Sequence, residues 1–189
     1  MTNSKIIGAP LKRDIVYTPE PIAKAIIKHF APSGAILDPC RGNGVFYKHL
    51  PNAEWCEIQD GRDFFLWSKR VDWIISNPPF SLVQQWLLHS FEIADNIVYL
   101  LPSNKPFNSD RFMRKIYEWG GIKTMFQLGS GRDIFDNYNV GFGFAAFYFL
   151  KDYSGPINIV FGAQNNKKIC HTYTQQQQVE NLQQIELDL

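Results

Sequence analysis

Cysteine is scarce, net charge is nearly absent, and no long apolar run occurs. The 189 residues carry three cysteines, Cys40, Cys56 and Cys170, odd in number and far apart. They offer neither a disulfide framework nor metal-ligand spacing, so no metal is expected and a reducing, cytoplasmic setting is. A formal net charge of +1 makes no demand for a nucleic-acid partner by itself. Lys12, Arg13, Lys24 and Lys28 nevertheless crowd the first segment. No stretch approaches the length of a membrane span, so no membrane partner is expected. No early apolar run flanked by basic residues reads as a secretion signal. Internal repeats are missing too.

What is present is apolar and aromatic: 45% and 15% of the chain. That composition is globular, with rings to spare for stacking once a core is filled. The most specific feature is Asn77-Pro78-Pro79-Phe80, directly after the apolar stretch over 71–76. Two successive prolines lack N–H groups and have φ fixed near −65°, so a sheet ladder must stop there. The tetrapeptide therefore belongs at the carboxyl end of a strand, where open α/β sheets bind ligands. A side-chain amide, stiff carbonyls and an aromatic ring at such a place suit a flat, amino-bearing group.

Strands are expected over 35–38, 54–58, 71–76, 96–101, 122–128, 141–150 and 157–161. Thr18-Pro19-Glu20 reads as a helix start with a capping hydroxyl, and Ile22, Ala23, Ile26, Ile27 and Phe30 continue it at helical spacing. A short helix is expected over 45–50. Another, capped by Ser81, runs to about Ala94 with Leu82, Trp86, Leu87 and Phe91 on one face, and a last one runs from Ser109 or Asn108 to Trp119, stopped by Gly120-Gly121. This alternation implies a mainly parallel sheet with right-handed crossovers. The last two strands have no helix between them, so they are expected to form a hairpin. Residues 1–165 read as a single catalytic domain and 166–189 as a polar C-terminal tail, with no separate target recognition domain.

Four constellations carry chemistry. Residues 38–44, Asp-Pro-Cys-Arg-Gly-Asn-Gly, follow the first strand. They fall short of the full G-x-G-x-x-G fingerprint but put a carboxylate at a strand tip, which suits an ammonium group; an ordinary tight turn is the alternative. Glu57 stands where nucleotide-binding folds place an acid for ribose hydroxyls; the alternative is a solvated edge charge. Asp63-Phe64-Phe65 offers an acceptor for an exocyclic amine and a ring for a purine face, with Phe65 read as core. The tetrapeptide is the fourth.

Together, Tyr17-Thr18-Pro19, residues 38–44, Glu57, Asp63-Phe64 and Asn77-Pro78-Pro79-Phe80 resemble the class I S-adenosylmethionine-dependent methyltransferases. Within them, the order resembles the amino-methylating adenine DNA methyltransferases of the gamma arrangement, over about residues 14–150. The resemblance implies an α/β, Rossmann-like class I methyltransferase fold: a mainly parallel seven-stranded sheet with a terminal antiparallel hairpin. It implies that Tyr17, Thr18, Asp38, Gly42, Gly44, Glu57, Asp63, Phe64 and Asn77 bind S-adenosyl-L-methionine. It places catalysis at Asn77, Pro78, Pro79 and Phe80, with the target base stacked on Phe80 and on Phe135. Tyr138 and Phe142 are rivals to Phe135, and core packing is the other reading of that ring.

The implied reaction is methylation of the 6-amino group of adenine in DNA, with nucleic acid as partner. RNA adenine and protein glutamine methyltransferases share the tetrapeptide, and a non-catalytic nucleic-acid-binding or partner module is the alternative of another class. Few residues follow the last strand, so specificity is expected to be short or relaxed, or to be supplied by a protein partner. Two departures from the pattern stand out. Gln59 occupies a place where an acid often follows the Ile, and the helix after the Gly loop is short, which leaves that side of the pocket open.

Overall fold

A computed structural model describes residues 16–135 and 141–162. The tail beyond 162, including the Gln-rich run and Cys170, lies outside the described residues. So do Lys12, Arg13 and Tyr138.

Helix α1 (Glu20–Phe30) starts at Pro19, which takes the cap position without a side-chain hydrogen bond. Thr18, expected as the cap, is instead turned inward at 4% exposure. Ala23 and Ile26 form the buried side of the helix. Strand β1 (Ile36–Asp38) follows and is buried throughout. The expected helix over 45–50 is a single 3-10 turn, Tyr47–His49. Strand β2 is only Glu54–Trp55, because Glu57 already caps the 3-10 turn Ile58–Asp60 with its side chain.

Strand β3 (Val71–Ser76) ends where the prolines begin. Helix α2 (Val83–Ile93) starts one residue later than a Ser81 cap would place it, and its cap, Leu82, makes no side-chain bond. The cause is local: the Pro79 carbonyl accepts the Leu82 N–H at 3.0 Å. That closes a 3-10 turn, Phe80–Leu82, before the helix proper. Strand β4 (Ala94–Pro102) follows at once. Helix α3 (Asp110–Trp119) is capped by Ser109, whose hydroxyl accepts from the Phe112 N–H. Strand β5 (Gly120–Ser130) begins on a glycine for lack of room. A Cβ at Gly120 would stand 2.2 Å from the Leu150 carbonyl oxygen. A short helix α4 (Gly131–Ile134), strand β6 (Gly143–Lys151) and strand β7 (Asn158–Phe161) complete the set.

The seven strands form one sheet in the order β2-β1-β3-β4-β6-β5-β7. β6 alone runs antiparallel to its neighbours β4 and β5; the other pairs are parallel. This is the expected mainly parallel sheet with one antiparallel hairpin. The hairpin, however, joins β5 to β6 and not the last two strands. Burial explains the choice. Phe144, Phe147 and Phe149 of β6 are at 0% exposure, while Ile159 and Phe161 of β7 are at 55% and 44%. A strand buried on both faces belongs inside a sheet, and a half-solvated one belongs at its edge. No helix among the described residues is long and apolar enough to cross a membrane.

Candidate active site

Parallel pairing of β1 and β3 sets Leu37 beside Ile74 and brings the carboxyl ends of the two strands together. There the Ser76 hydroxyl donates to Asp38 Oδ1 at 2.7 Å, and the Cys40 N–H reaches the same oxygen at 3.4 Å. Asp38 is at 0% exposure, and its Oδ2 is shielded with no partner among the described residues. Burial lifts its carboxyl from an ordinary 3.8 to about 7; the Ser76 and Cys40 hydrogen bonds hold it down, and the Glu57 charge pushes it further up. Burial, aided by the Asp38 charge, also raises the Cys40 thiol far above its usual range. Cys40 therefore stays a neutral thiol and not a nucleophile.

The Gly loop is fastened to the segment after β2. Gly42 and Gly44 sit at φ 52° and 80°, the left-handed region where glycine costs least. The Gly42 N–H donates to Glu57 Oε2 at 2.8 Å, and the Arg41 N–H donates to the Cys56 carbonyl at 3.0 Å. The Arg41 guanidinium lies 4.0 Å from the Trp55 ring centre, with that of Arg62 3.9 Å from the same ring. Arg41 also pairs with Asp60.

Asn77 follows β3 directly. Its Nδ2 donates to the Val16 carbonyl at 2.9 Å, which leaves Oδ1 as the inward atom. That oxygen is shielded from water and has no donor among the described residues. A lone buried acceptor costs about 1–3 kcal/mol unless something pairs with it.

Two adjoining chambers open along this edge. Tyr17, Thr18, Gly42, Glu57, Asn77 and Pro79 are among the residues lining the first. Ile58, Asp63, Phe64, Pro79 and Trp86 are among those lining the second. Cys40, Glu57, Gln59 and Pro79 belong to both. The structure thus gathers most of the residues singled out for cofactor binding, and their side chains offer acceptors to ligand hydroxyl and amino groups.

Asp38, expected to bind the cofactor, lies outside both linings and contacts the loop through the Cys40 N–H. Gly44 and Pro78 also stay out of both linings. The stacking rings sit elsewhere. Phe80 is at 7% exposure, with its ring 5.5 Å from that of Phe144. Phe135 is at 4% and meets Phe144 edge-on at 4.9 Å. Phe142 is at 49%, inclined 26° to Phe144 at 6.1 Å. Sequence reasoning missed Val16, whose carbonyl orients the amide, and Trp86, which it counted with the inner face of a helix. Its position six residues past Phe80, on the second turn after the tetrapeptide, was the available signal.

No protein-family model matches the chain, and no curated protein does. Solved structures do match. A type I restriction-modification system methyltransferase subunit from Streptococcus thermophilus is 15% identical, with a TM-score of 0.59 over 77% of this chain and 47% of that one. A protein from Listeria monocytogenes, provisionally described as a class I S-adenosylmethionine-dependent methyltransferase, gives 13%, 0.60, 80% and 67%. One from Pyrococcus horikoshii, provisionally described as an RNA methyltransferase, gives 16%, 0.54, 78% and 94%. The chain spans about half the length of the type I restriction-modification subunits it matches. The likeness establishes the class I methyltransferase fold.

Proposed function

We propose that this chain is an S-adenosylmethionine-dependent methyltransferase acting on the 6-amino group of adenine in DNA. The observation that carries the reading is the unpaired, water-shielded Oδ1 of Asn77 at the wall of a chamber rich in acceptors. An acceptor held in that state suits an amino group. The chambers also fit the donor chemically: Glu57 can take ribose hydroxyls, Asp63 an exocyclic amine, and the Gly42 backbone allows close approach.

S-adenosylmethionine, when bound, supplies an electrophilic methyl group on a sulfonium. The protein's part is positioning and electrostatics. The 6-amino nitrogen of adenine is a poor nucleophile because its lone pair is delocalised into the ring. Asn77 Oδ1 would accept one of its N–H bonds and the Pro78 carbonyl, which lines neither chamber in this structure, the other, drawing it toward a tetrahedral geometry. Their partial negative charge stabilises the positive charge that grows on nitrogen. Holding that nitrogen in line with the methyl group supplies much of the remainder. No strong base is required before attack, since the alkylated amine becomes acidic. Pro78-Pro79 keeps the carbonyl stiff. A base inside a duplex cannot reach such an edge, so it must be flipped or single-stranded. Phe80 packs on Phe144 here, so stacking on a base requires the ring to leave that contact. Phe135 or Phe142 would complete the base's seat.

The likeness to type I restriction-modification subunits supports DNA as substrate and a specificity-supplying protein as partner. The likeness to the Pyrococcus horikoshii protein, 94% of whose length is matched, favours RNA as the second reading. The test offers radiolabelled S-adenosylmethionine with DNA, RNA and protein side by side. Label in DNA supports the reading. Label confined to RNA or to protein redirects it. Donor binding without transfer to any of them indicates a non-catalytic module.

A further inference from the structure

We infer that Trp86 is the hydrogen-bond donor that reads the purine ring in the second chamber, an inference that rests on the methyl-donor reading above. Trp86 sits on α2 at 5% exposure and lines that chamber beside Ile58, Asp63, Phe64 and Pro79. Its indole Nε1–H is shielded from water and has no acceptor among the described residues. Nearly all buried N–H groups in folded proteins are paired, because an unpaired one costs about 1–3 kcal/mol. An orphaned donor on a residue that lines a chamber marks a place where a ligand supplies the acceptor.

The rest of the chamber specifies the ligand. The Trp86 ring lies 4.7 Å from Phe64, inclined 33°, and 6.0 Å from Phe65, nearly perpendicular. These contacts fix the plane of the indole and so the direction of its N–H. Asp63 Oδ1 accepts the Phe65 N–H at 2.9 Å. That bond orients the carboxylate and leaves it further lone pairs. A fixed donor and a fixed acceptor therefore share a chamber that Glu57 and Gln59 also line. Adenine presents the matching edge: an amino donor next to a ring-nitrogen acceptor, N1 or N7. A six-oxo purine presents an oxygen acceptor where the amino group stood, and that faces the Asp63 carboxylate unfavourably. Trp86 and Asp63 together thus select an adenosyl ligand.

The experiment titrates S-adenosylhomocysteine into the full chain by calorimetry, for wild type and for Trp86→Phe, which keeps a ring and removes the N–H. We expect affinity to fall about tenfold, the effect of one buried hydrogen bond. An analogue lacking N1 or one lacking N7 should bind wild type and variant equally, which names the atom read. In wild type, the Trp86 indole proton resonance, assigned by triple-resonance spectroscopy, should move downfield when ligand is added. That measurement also covers a variant that fails to fold. Equal affinity for wild type and a folded variant, or an unmoved indole resonance, overturns the inference while the donor reading stands. A wild type that binds no S-adenosylhomocysteine overturns both.

Discussion

The two halves of the sheet are built to different rules. β4, β6 and β5 have nine, nine and eleven residues and pair almost end to end. β1 and β2 have three and two, and turns and loops carry the rest. The long-strand half holds the rings at 0% exposure, Tyr99, Phe144, Phe147 and Phe149. Among the described residues, the short-strand half holds shielded polar atoms without hydrogen-bond partners, Asp38 Oδ2, Arg41 Nε, Asn77 Oδ1 and Trp86 Nε1 among them. Burial of apolar surface stabilises the first half at roughly 25 cal/mol per Å². The second half leaves polar groups unpaired and so favours a ligand that pairs them. Packed rings and unpaired polar atoms are thus kept in separate parts of one sheet.

Four changes break or sharpen this contrast. Phe147→Ala in the long-strand half should cost about 3–5 kcal/mol of stability, read by chemical denaturation. Donor affinity per folded molecule should be nearly unchanged. Asn77→Ala should do the reverse: a fall of about a hundredfold or more in methyl transfer, the scale of losing one charge-stabilising group. Its melting temperature should stay near wild type and donor binding should largely survive, and full turnover would sink the mechanism. Glu57→Gln keeps an oxygen for the Gly42 N–H but removes the charge that would hold hydroxyl groups, so donor affinity should drop about tenfold. The smallest signal is in protons. Asp38 titrates near 7, above its ordinary 3.8, so at pH 6 it is mostly protonated. A cationic donor bound nearby favours the carboxylate and lowers that value. Binding at pH 6 should therefore release part of a proton, and binding at pH 9 should release none from this group. Calorimetry in two buffers of different ionisation enthalpy measures this, and Asp38→Asn should abolish it.

The fold was legible in proportion to how much each segment's local pattern decides it. The apolar runs at 71–76 and 96–101 became β3 and β4 with little change. β2 came out shorter than its five expected residues, because Glu57 turns back to hold the Gly42 N–H, a contact that no local pattern encodes. The misplaced hairpin has the same origin. Strand pairing is a long-range choice, although the near-continuous apolar character of 144–149 already marked an inner strand. In the site, Gly42, Glu57 and Asn77 could be singled out because few residue types serve their positions. Phe80 and Phe135 could not be placed, since a phenylalanine reads alike in a core and over a base. Here the shared neighbour Phe144 takes both rings inward. Trp86 was hidden by its own helix pattern: apolar spacing marks it as core, and only the cavity reveals that its N–H has nowhere else to go.

The position of β6 also constrains how the chain comes to be folded. β4 and β5 precede it in sequence, yet each pairs with it and not with the other. Until residues 143–151 have left the ribosome, both of those strands carry an inner edge with unanswered N–H and C=O groups. Exposed edges of that kind invite pairing with other chains, and contacts as distant in sequence as Asn96 with Leu150 form slowly. The middle of this sheet is therefore a late event in synthesis, closed by a strand made after the two it joins.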